Sequence, residues 1–471
     1  MEQKRREFLK GTAWMAAAAM TGGCASALKT TAGGTMAGYV APKLGKIRVG
    51  VVGIGGRGSY AVHRLSTIPG IEITALCDFI EEKALKDQKW LKDKGFPEPK
   101  VFTGPEGYKR LCESGLCDVV HNNTDWSGHV PVSAYAMKSG LHAFVEVPGV
   151  CTVDEAWELV ETSEKTRRHC MMLENCCYGE DEMLMVNLAR AGALGTIVHG
   201  EGGYLHDGRW VCPRSLTEKP QWRFDSISKM AGNSYPTHGF GPVAIAMNVN
   251  RGDRLDYLVS MGSVAAGFPD LMKKRFGDDS KYAKMRYDME DINTSMVRTV
   301  NGRTIMVQCD MANPRPYSRM NLLQGSSGII RTYPLRIGIE KSPGAEVKKW
   351  SDEKETGEIR EKYRHPLWKQ AGEIAKKVGG HGGMDYLMDL RWAYCLQNGL
   401  PLDMDVYDLA AWSCIVELTE KSSRNRSARM DIPDFTRGGW KTVAPFGDWM
   451  IDLKKMDLRS VSADIGKQQT V

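Results

Sequence analysis

The sequence contains no Cys-x-x-Cys pair, no block of basic residues and no internal repeat. Its twelve cysteines are scattered through 471 residues, so we expect buried thiols and no metal site. A net charge of +6 without a basic cluster argues against nucleic-acid binding. The apolar run at 14–20 is far shorter than the roughly 20 residues that cross a bilayer. The chain is long enough to form two or three folded domains.

The N-terminus reads Lys-Arg-Arg-Glu-Phe-Leu-Lys at 4–10, ahead of that short apolar run. Twin arginines in this position are typical of the signal that exports folded proteins. We predict that residues 1–45 are an export signal and a flexible tether, with the twin-arginine export machinery as a partner. Thr21-Gly-Gly-Cys24 resembles a lipoprotein cleavage box. The predicted location is the periplasm, either free after ordinary cleavage or anchored to the membrane by lipid on Cys24.

A glycine-rich turn follows the first strand-like segment, 46–52. It reads Gly53-Ile-Gly55-Gly-Arg-Gly58, and a second apolar run ends at Asp78. The glycines let the backbone approach a pyrophosphate at a helix N-terminus, and the acid accepts hydrogen bonds from ribose hydroxyls. Asp78 favours NAD over NADP, because a 2′-phosphate would face a carboxylate. The sequence therefore predicts NAD as the cofactor.

The hydrophobic patterns predict an α/β protein with two folded domains. Strand-like and helix-like segments alternate through 46–170, which indicates a Rossmann dinucleotide-binding domain. Segments that follow its predicted strands, such as 122–129, are expected to border one crevice. From 171 to 471, alternating apolar residues predict a substrate-binding α+β domain on an open, largely antiparallel sheet, ending in helices. The charged segment 340–380 is expected to be exposed.

The glycine turn, Asp78 and a strand ending in Glu146-Val147-Pro148 resemble the oxidoreductase family of glucose–fructose oxidoreductase and inositol dehydrogenase. Members of that family usually read Glu-Lys-Pro here, and the lysine assists proton transfer. Valine at 147 argues against a plain sugar dehydrogenase. An exported protein also meets little soluble dinucleotide, which favours a cofactor that stays bound and is regenerated within each cycle.

Further motifs resemble the NAD-dependent glycosidases of family 109, whose known activity is α-N-acetylgalactosaminidase. The resemblance runs from about residue 46 to the C-terminus. It rests on Asn123-Thr-Asp-Trp-Ser-Gly-His129, Glu146-Val-Pro-Gly149, Glu174-Asn-Cys-Cys-Tyr178, Gly203-Tyr-Leu-His-Asp207, Trp222-Arg223, Tyr235-Pro-Thr-His-Gly-Phe-Gly-Pro242 and Asn313-Pro-Arg-Pro-Tyr317. It implies removal of terminal α-linked N-acetylgalactosamine by oxidation at carbon 3, elimination across carbons 2 and 1, addition of water and reduction, with no net use of NAD.

The resemblance also implies the site residues. Tyr178 is the candidate base for the carbon-2 proton, supported by Arg223, and His238 assists deprotonation at carbon 3. The cofactor-binding residues are Gly53, Gly55, Gly56, Arg57, Gly58, Asp78, Trp126, Ser127, Gly128, His129, Glu146, Val147 and Asn175. The substrate-binding residues are Tyr204, Arg223, Tyr235, Pro236, Thr237, His238 and Tyr317.

Two other functions fit the same residues. One is an exported sugar oxidoreductase with tightly bound, internally recycled NAD(P). The other is a catalytically silent sugar-binding lipoprotein that retains NAD. Substitution of Tyr178 and His238 separates them, because a binder has no turnover to lose. The sequence leaves open the configuration at carbon 4 of the sugar, the natural aglycone and whether the chain forms a homo-oligomer.

Overall fold

The structure, a computed structural model, describes residues 34–218 and 221–452. The predicted export signal and Cys24 lie outside these residues. Within the described part of the chain, no helix is long and apolar enough to cross a membrane.

The first sheet is parallel, as expected for a Rossmann domain, and has six strands within the described residues. They are β1 (Ile47–Val52), β2 (Ile71–Asp78), β3 (Lys100–Thr103), β4 (Val119–Asn122), β5 (His142–Val145) and β6 (Cys170–Met172), in the order β3-β2-β1-β4-β5-β6. The helices between them are α1 (Gly56–Leu65), α2 (Glu81–Asp93), α3 (Gly107–Glu113), α4 (Trp126–Lys138) and α5 (Val153–Thr166). The strand order reverses between β1 and β4, and ligands bind at the carboxyl ends of strands beside such a reversal.

The second sheet has eight strands in the part of the chain that the structure describes. They are β7 (Ile197–Leu205), β8 (Leu255–Gly262), β9 (Ile292–Thr299), β10 (Thr304–Asp310), β11 (Leu322–Gly325), β12 (Gly328–Arg331), β13 (Arg336–Ile339) and β14 (Met430–Asp431), in the order β13-β12-β11-β7-β10-β9-β8-β14. All neighbours are antiparallel except β7 and β10. Burial alternates along β9, as expected for a sheet with one covered face. The predicted fold class is confirmed.

The remaining helices cover this sheet and return to the first domain. They are α6 (Glu180–Arg190), α7 (Trp222–Ile227), α8 (Thr237–Ala246), α9 (Gly267–Phe276), α10 (Glu353–Tyr363), α11 (Pro366–Val378), α12 (Met384–Asn398), α13 (Val406–Ser413) and α14 (Ile415–Arg424). Helix α12 packs on α1, where Arg64 Nε lies 2.6 Å from Asp389 Oδ2, and α13 packs on α5. The C-terminal helices therefore hold the nucleotide domain against the second sheet.

The last part of the predicted tether is packed against the fold. Met36 is 2% exposed and Ala41 is 3% exposed. The Met36 N–H donates to the Tyr407 hydroxyl over 3.0 Å, and the Leu44 N–H donates to the Leu396 carbonyl over 3.0 Å. The prediction of a flexible tether is therefore wrong for residues 34–45, because their few apolar side chains find partners on helices distant in sequence.

The charged segment 340–380 is only partly exposed. Helix α10 has no buried residue, as its composition suggests. Helix α11, however, buries Leu367, Trp368, Ala371 and Ala375 along one face. Their spacing is that of an amphipathic helix, which the surrounding lysines obscure in the composition. The prediction of general exposure is wrong for α11.

Candidate active site

The glycine turn after β1 is tight on one side and open on the other. Gly53 has a φ of +87°, and a Cβ there would lie 2.7 Å from the backbone of Asn123. A Cβ on Gly58 would clash with the Gly53 carbonyl oxygen. No atom of residues 34–218 or 221–452 lies within 4 Å of a Cβ built on Gly55 or Gly56. Only glycine fits at 53 and 58, whereas 55 and 56 border free space at the start of α1.

That free space suits an anion. Among the residues that the structure describes, no side chain caps the N-terminus of α1 at Gly55, and the first turn of α1 contains no acidic residue. The first N–H groups of a helix have no partner within the helix, and the helix dipole is positive there. A pyrophosphate can take these donors without displacing a protein group. The turn therefore fits the phosphates of a dinucleotide.

Asp78 lies at the end of β2, beside the same turn. Its Oδ2 accepts a hydrogen bond from the Ile54 N–H over 2.6 Å, and its Oδ1 accepts one from the Ile80 N–H over 2.8 Å. Each carboxylate oxygen can accept a second hydrogen bond. Asp78 can therefore hold the turn and still receive the ribose hydroxyls, as the sequence predicts.

The Arg57 side chain is placed differently from the predicted pyrophosphate contact. Its Nε lies 2.6 Å from Glu146 Oε1 and its Nη1 lies 2.9 Å from Asp385 Oδ2. Burial would raise the pKa of Asp385, but Arg57 and His381 together hold it well below its ordinary value. Three of the five guanidinium N–H groups thus face two carboxylates, and the backbone N–H of Arg57, in the first turn of α1, can bind a phosphate.

The other predicted cofactor residues surround this ion pair or support it. Asn175 Nδ2 donates to Asp385 Oδ1 over 2.5 Å, and Trp126 Nε1 donates to the Val147 carbonyl over 3.4 Å. Ser127 and Gly128 lie in the first turn of α4. The buried His129 ring faces the carbonyls of Pro148 and Thr124, at 2.8 and 3.2 Å. Both ring nitrogens of His129 therefore face backbone carbonyls of this loop, which leaves neither nitrogen for a cofactor.

Helix α8 places His238. Gly239 and the glycines of β7 meet with no room for side chains, since a Cβ on Gly239 would clash with the Gly203 N–H. Pro236 precedes the helix, and Thr237 is buried in its first turn. The sequence predicts a loop at His238 because of the surrounding glycine and proline. That prediction is wrong, and the glycines instead let the helix lie directly on the sheet.

His238 is paired with Glu174, which is fully buried just after β6. The two are 2.7 Å apart, between Nδ1 and Oε1. Burial would raise the pKa of Glu174, but His238 and the Cys176 N–H stabilise the carboxylate and lower it. A charged carboxylate on one ring nitrogen orients an imidazole for proton transfer at the other. Ligand atoms of Glu174, Cys176 and His238 lie within 4.8 Å of one another. The absence of a metal stays a prediction.

The predicted substrate residues form one aromatic cluster. The Tyr204 ring lies 4.5 Å from Tyr235, 5.4 Å from His238 and 5.9 Å from Tyr317. The Arg223 guanidinium lies 5.3 Å from the Tyr235 ring. Burial raises the pKa of Tyr235 to about 12 against the opposing effect of Arg223. The structure thus brings these five side chains together.

Tyr235 also joins the cluster to the nucleotide domain. Its ring lies 6.3 Å from Trp126, at the start of α4, and Trp126 lies 5.4 Å from Trp222. The tyrosines and His238 therefore lie beside the crevice that fits the dinucleotide.

Tyr178 does not belong to this cluster. Its side chain is fully buried, and its hydroxyl donates to Asp403 Oδ2 over 3.0 Å. Burial and Asp403 raise the pKa of Tyr178 well above its ordinary value. Arg223, its predicted cationic partner, lies over Tyr235 instead. The structure contradicts the prediction of Tyr178 as the catalytic base, because a buried hydroxyl that donates to a carboxylate cannot take a proton from a sugar.

Residues 178–442 match the family "Glycosyl hydrolase 109, C-terminal domain", and residues 47–174 match "Oxidoreductase family, NAD-binding Rossmann fold". A family 109 protein of Shewanella pealeana is 44% identical over 95% of this chain and 99% of its own. A Bacteroides fragilis protein named alpha-N-acetylgalactosaminidase is 43% identical over 88% of this chain and 97% of its own. The chain belongs to glycosyl hydrolase family 109. Both the predicted family and the predicted NAD cofactor are confirmed.

Solved structures share the fold of this family 109 chain at low identity. An oxidoreductase domain protein from Kribbella flavida covers 83% of the chain and all of its own, with a TM-score of 0.64 at 15% identity. Levoglucosan dehydrogenase, solved with NADH and L-sorbose, has the same coverage with a TM-score of 0.62 at 16% identity. The family 109 chain is thus a glycoside hydrolase built on an NAD-binding oxidoreductase fold.

Three site residues of this family 109 chain are not among those predicted from its sequence. Glu174 and His206 lie in the quoted motifs, but only their contacts show that they reach the site. The His206 ring lies 5.2 Å from Tyr317 and 5.7 Å from Tyr204. Asp385 follows a glycine-rich turn more than 300 positions after Arg57, and no local pattern connects the two.

Proposed function

We propose that this family 109 chain removes terminal α-linked N-acetylgalactosamine from glycosides and retains its NAD throughout. The observation that carries this proposal is the His238–Glu174 pair, which lies in a tyrosine cluster beside the dinucleotide crevice. The name of the Bacteroides fragilis relative supports the choice of sugar. Aromatic rings and Arg223, which has no ion pair with any residue that the structure describes, suit a sugar with a polar N-acetyl group.

Each residue has a role in this proposal. NAD, when bound, would supply reversible hydride transfer at carbon 3 of the sugar. Oxidation at carbon 3 would acidify the carbon-2 proton, and return of the hydride after the aglycone leaves would reverse that oxidation. His238, oriented by Glu174, takes the proton of the carbon-3 hydroxyl. Tyr235 replaces Tyr178 as the candidate for the carbon-2 proton, because its ring lies 4.9 Å from His238 within the cluster. Arg223, over the same ring, opposes the rise in the pKa of Tyr235 that burial causes.

We also propose that the chain is exported by the twin-arginine route with NAD already bound. That route carries folded proteins, and a cofactor regenerated in every cycle needs no supply outside the cytoplasm. The motif at 4–10 supports export, and Cys24 supports a lipid anchor.

The test is to purify the protein without its leader and without added cofactor. The bound dinucleotide is then identified, and p-nitrophenyl α-N-acetylgalactosaminide is supplied as substrate. We expect bound NAD and release of nitrophenol over many turnovers without added NAD. Bound NAD with no release, but with a rise at 340 nm on addition of free sugars, would contradict the proposal and favour an oxidoreductase.

A further inference from the structure

A cavity outside the tyrosine cluster has no assigned role. Its volume is about 320 Å³, and it lies between the start of α6, the end of α10 and the turn after β12. Small-ligand pockets span roughly 300–1,000 Å³, so this one suits a single sugar ring. Asp181, Glu182, Arg319, Tyr333, Leu335 and Arg360 line it.

The charges around this cavity are compensated. Glu182 Oε1 lies 2.8 Å from Arg319 Nη2, and Asp181 Oδ1 lies 2.6 Å from Arg360 Nη2. Glu180, at the same edge, lies 3.0 Å from Arg364 and 3.3 Å from Lys376. Paired charges offer many hydrogen-bond donors and acceptors but little net attraction for an ion. The lining therefore suits a neutral polyhydroxylated ligand better than a phosphate or an amine.

Arg319 joins this cavity to the tyrosine cluster. Its Nη1 donates to the Tyr317 hydroxyl over 3.2 Å, while its other nitrogens bind Glu182. Its guanidinium lies 5.5 Å from the Tyr317 ring and 5.1 Å from the Tyr333 ring. The two tyrosine rings are 6.0 Å apart, one in the cluster and one in the cavity wall. A ligand that spans both places would pass along Tyr317.

We propose that this cavity binds the sugar attached to carbon 1 of the cleaved residue, a neutral hexose of the natural aglycone. The Tyr333 ring offers a flat apolar face to the sugar, and the Asp181–Arg360 pair offers hydrogen bonds to its hydroxyls. This assignment rests on the proposed function, since it concerns the leaving group of that reaction.

The first experiment compares two substrates. One is p-nitrophenyl α-N-acetylgalactosaminide, and the other is a disaccharide of α-linked N-acetylgalactosamine on a neutral hexose. For Arg360→Gln we expect the kcat/KM ratio of disaccharide to aryl glycoside to fall at least about tenfold, mainly through KM. Lys354→Gln removes a charge from the exposed face of the same helix and controls for surface charge. An unchanged ratio in Arg360→Gln would overturn the proposal.

A second measurement does not depend on turnover. Saturation-transfer NMR with methyl β-galactoside should show binding to the NAD-loaded wild type, a weaker signal with Arg360→Gln and with Tyr333→Leu, and none with glucuronate. If neither substrate is cleaved, the proposed function is wrong, but this NMR pattern would still support sugar binding in the cavity. Binding that is absent, or unaffected by both substitutions, would overturn the sugar site itself.

Discussion

At the scale of single residues, the sequence predicts Tyr178 as a catalytic residue and gives Glu174 no role. The structure instead places Glu174 beside His238 and buries Tyr178 away from the cluster. In Tyr178→Phe the hydroxyl is lost, but Asp403 keeps Arg391 at 2.6 Å. We expect kcat/KM for the aryl glycoside to stay within about threefold of wild type, whereas removal of a general base costs roughly 10²–10⁴-fold. The lost hydrogen bond should lower the free energy of unfolding by about 1 kcal/mol. A loss of activity with NAD still bound would restore Tyr178 as the base.

Glu174→Gln tests the group that orients His238. Glutamine keeps an acceptor for the Cys176 N–H, which Glu174 Oε1 binds over 3.0 Å, but loses the negative charge beside His238. We expect kcat/KM to fall by about 10²-fold with bound NAD unchanged, because the imidazole loses the carboxylate that orients it for proton transfer. Steady-state kinetics and the dinucleotide content of the same preparation decide this. Near-normal kcat/KM would exclude the pair from catalysis.

At the scale of elements, two glycines in the first turn of α1 separate folding from cofactor binding, because Gly58 is needed for packing and Gly56 for the phosphates. In Gly58→Ala the new methyl group meets the Gly53 carbonyl oxygen, so we expect a loss of about 1–3 kcal/mol in the free energy of unfolding. In Gly56→Ala it meets no atom of the described residues within 4 Å. We expect normal stability of the NAD-free protein but little copurified NAD, because the methyl group occupies the place of the phosphates.

Urea unfolding of the NAD-free proteins and the absorbance of bound dinucleotide measure the two effects. Equal free energies of unfolding and equal amounts of bound NAD in Gly56→Ala and Gly58→Ala would contradict these separate roles of the two glycines.

Elements that repeat a local pattern could be predicted from the sequence. Strand β1, the turn at 53–58 and β2 follow from consecutive residues, and burial alternates along β9 as its sequence suggests. Helix α8 could not be predicted, because its glycines serve packing on β7 and not a loop. The parallel pairing of β7 with β10 joins strands about 100 positions apart and has no local signature.

The same limit applies to the site. The Rossmann turn and the tyrosines could be located from motifs, whereas Arg57 with Asp385 and Tyr178 with Asp403 are 328 and 225 positions apart. The roles of these side chains depend on partners that only tertiary packing supplies.

At the scale of the whole molecule, buried histidines make the fold sensitive to acid. His142 accepts the His169 N–H at Nδ1 over 3.0 Å, and burial lowers its pKa to about 4. Burial also lowers the pKa of His365 to about 3. Their pKa in the unfolded chain is about 6.5, so below that pH the unfolded chain binds more protons than the folded one. Stability should therefore be full above about pH 6.5 and fall as the pH drops toward 4.

His142→Asn tests this, since asparagine can accept the His169 N–H but does not titrate. The His142 contribution to the wild-type loss between pH 7 and pH 5 is about 2 kcal/mol. The variant should lose that much less over the same interval in urea unfolding. An identical pH dependence in the two proteins would show that His142 does not titrate as its burial implies.

The central claim is that the glycosidic bond breaks by elimination after transient oxidation at carbon 3. The most direct test is to cleave p-nitrophenyl α-N-acetylgalactosaminide in heavy water and analyse the released sugar by mass spectrometry and proton NMR. Removal of the carbon-2 proton followed by addition of water should leave deuterium at carbon 2. A released sugar with only hydrogen at carbon 2 would contradict the account and require direct hydrolysis.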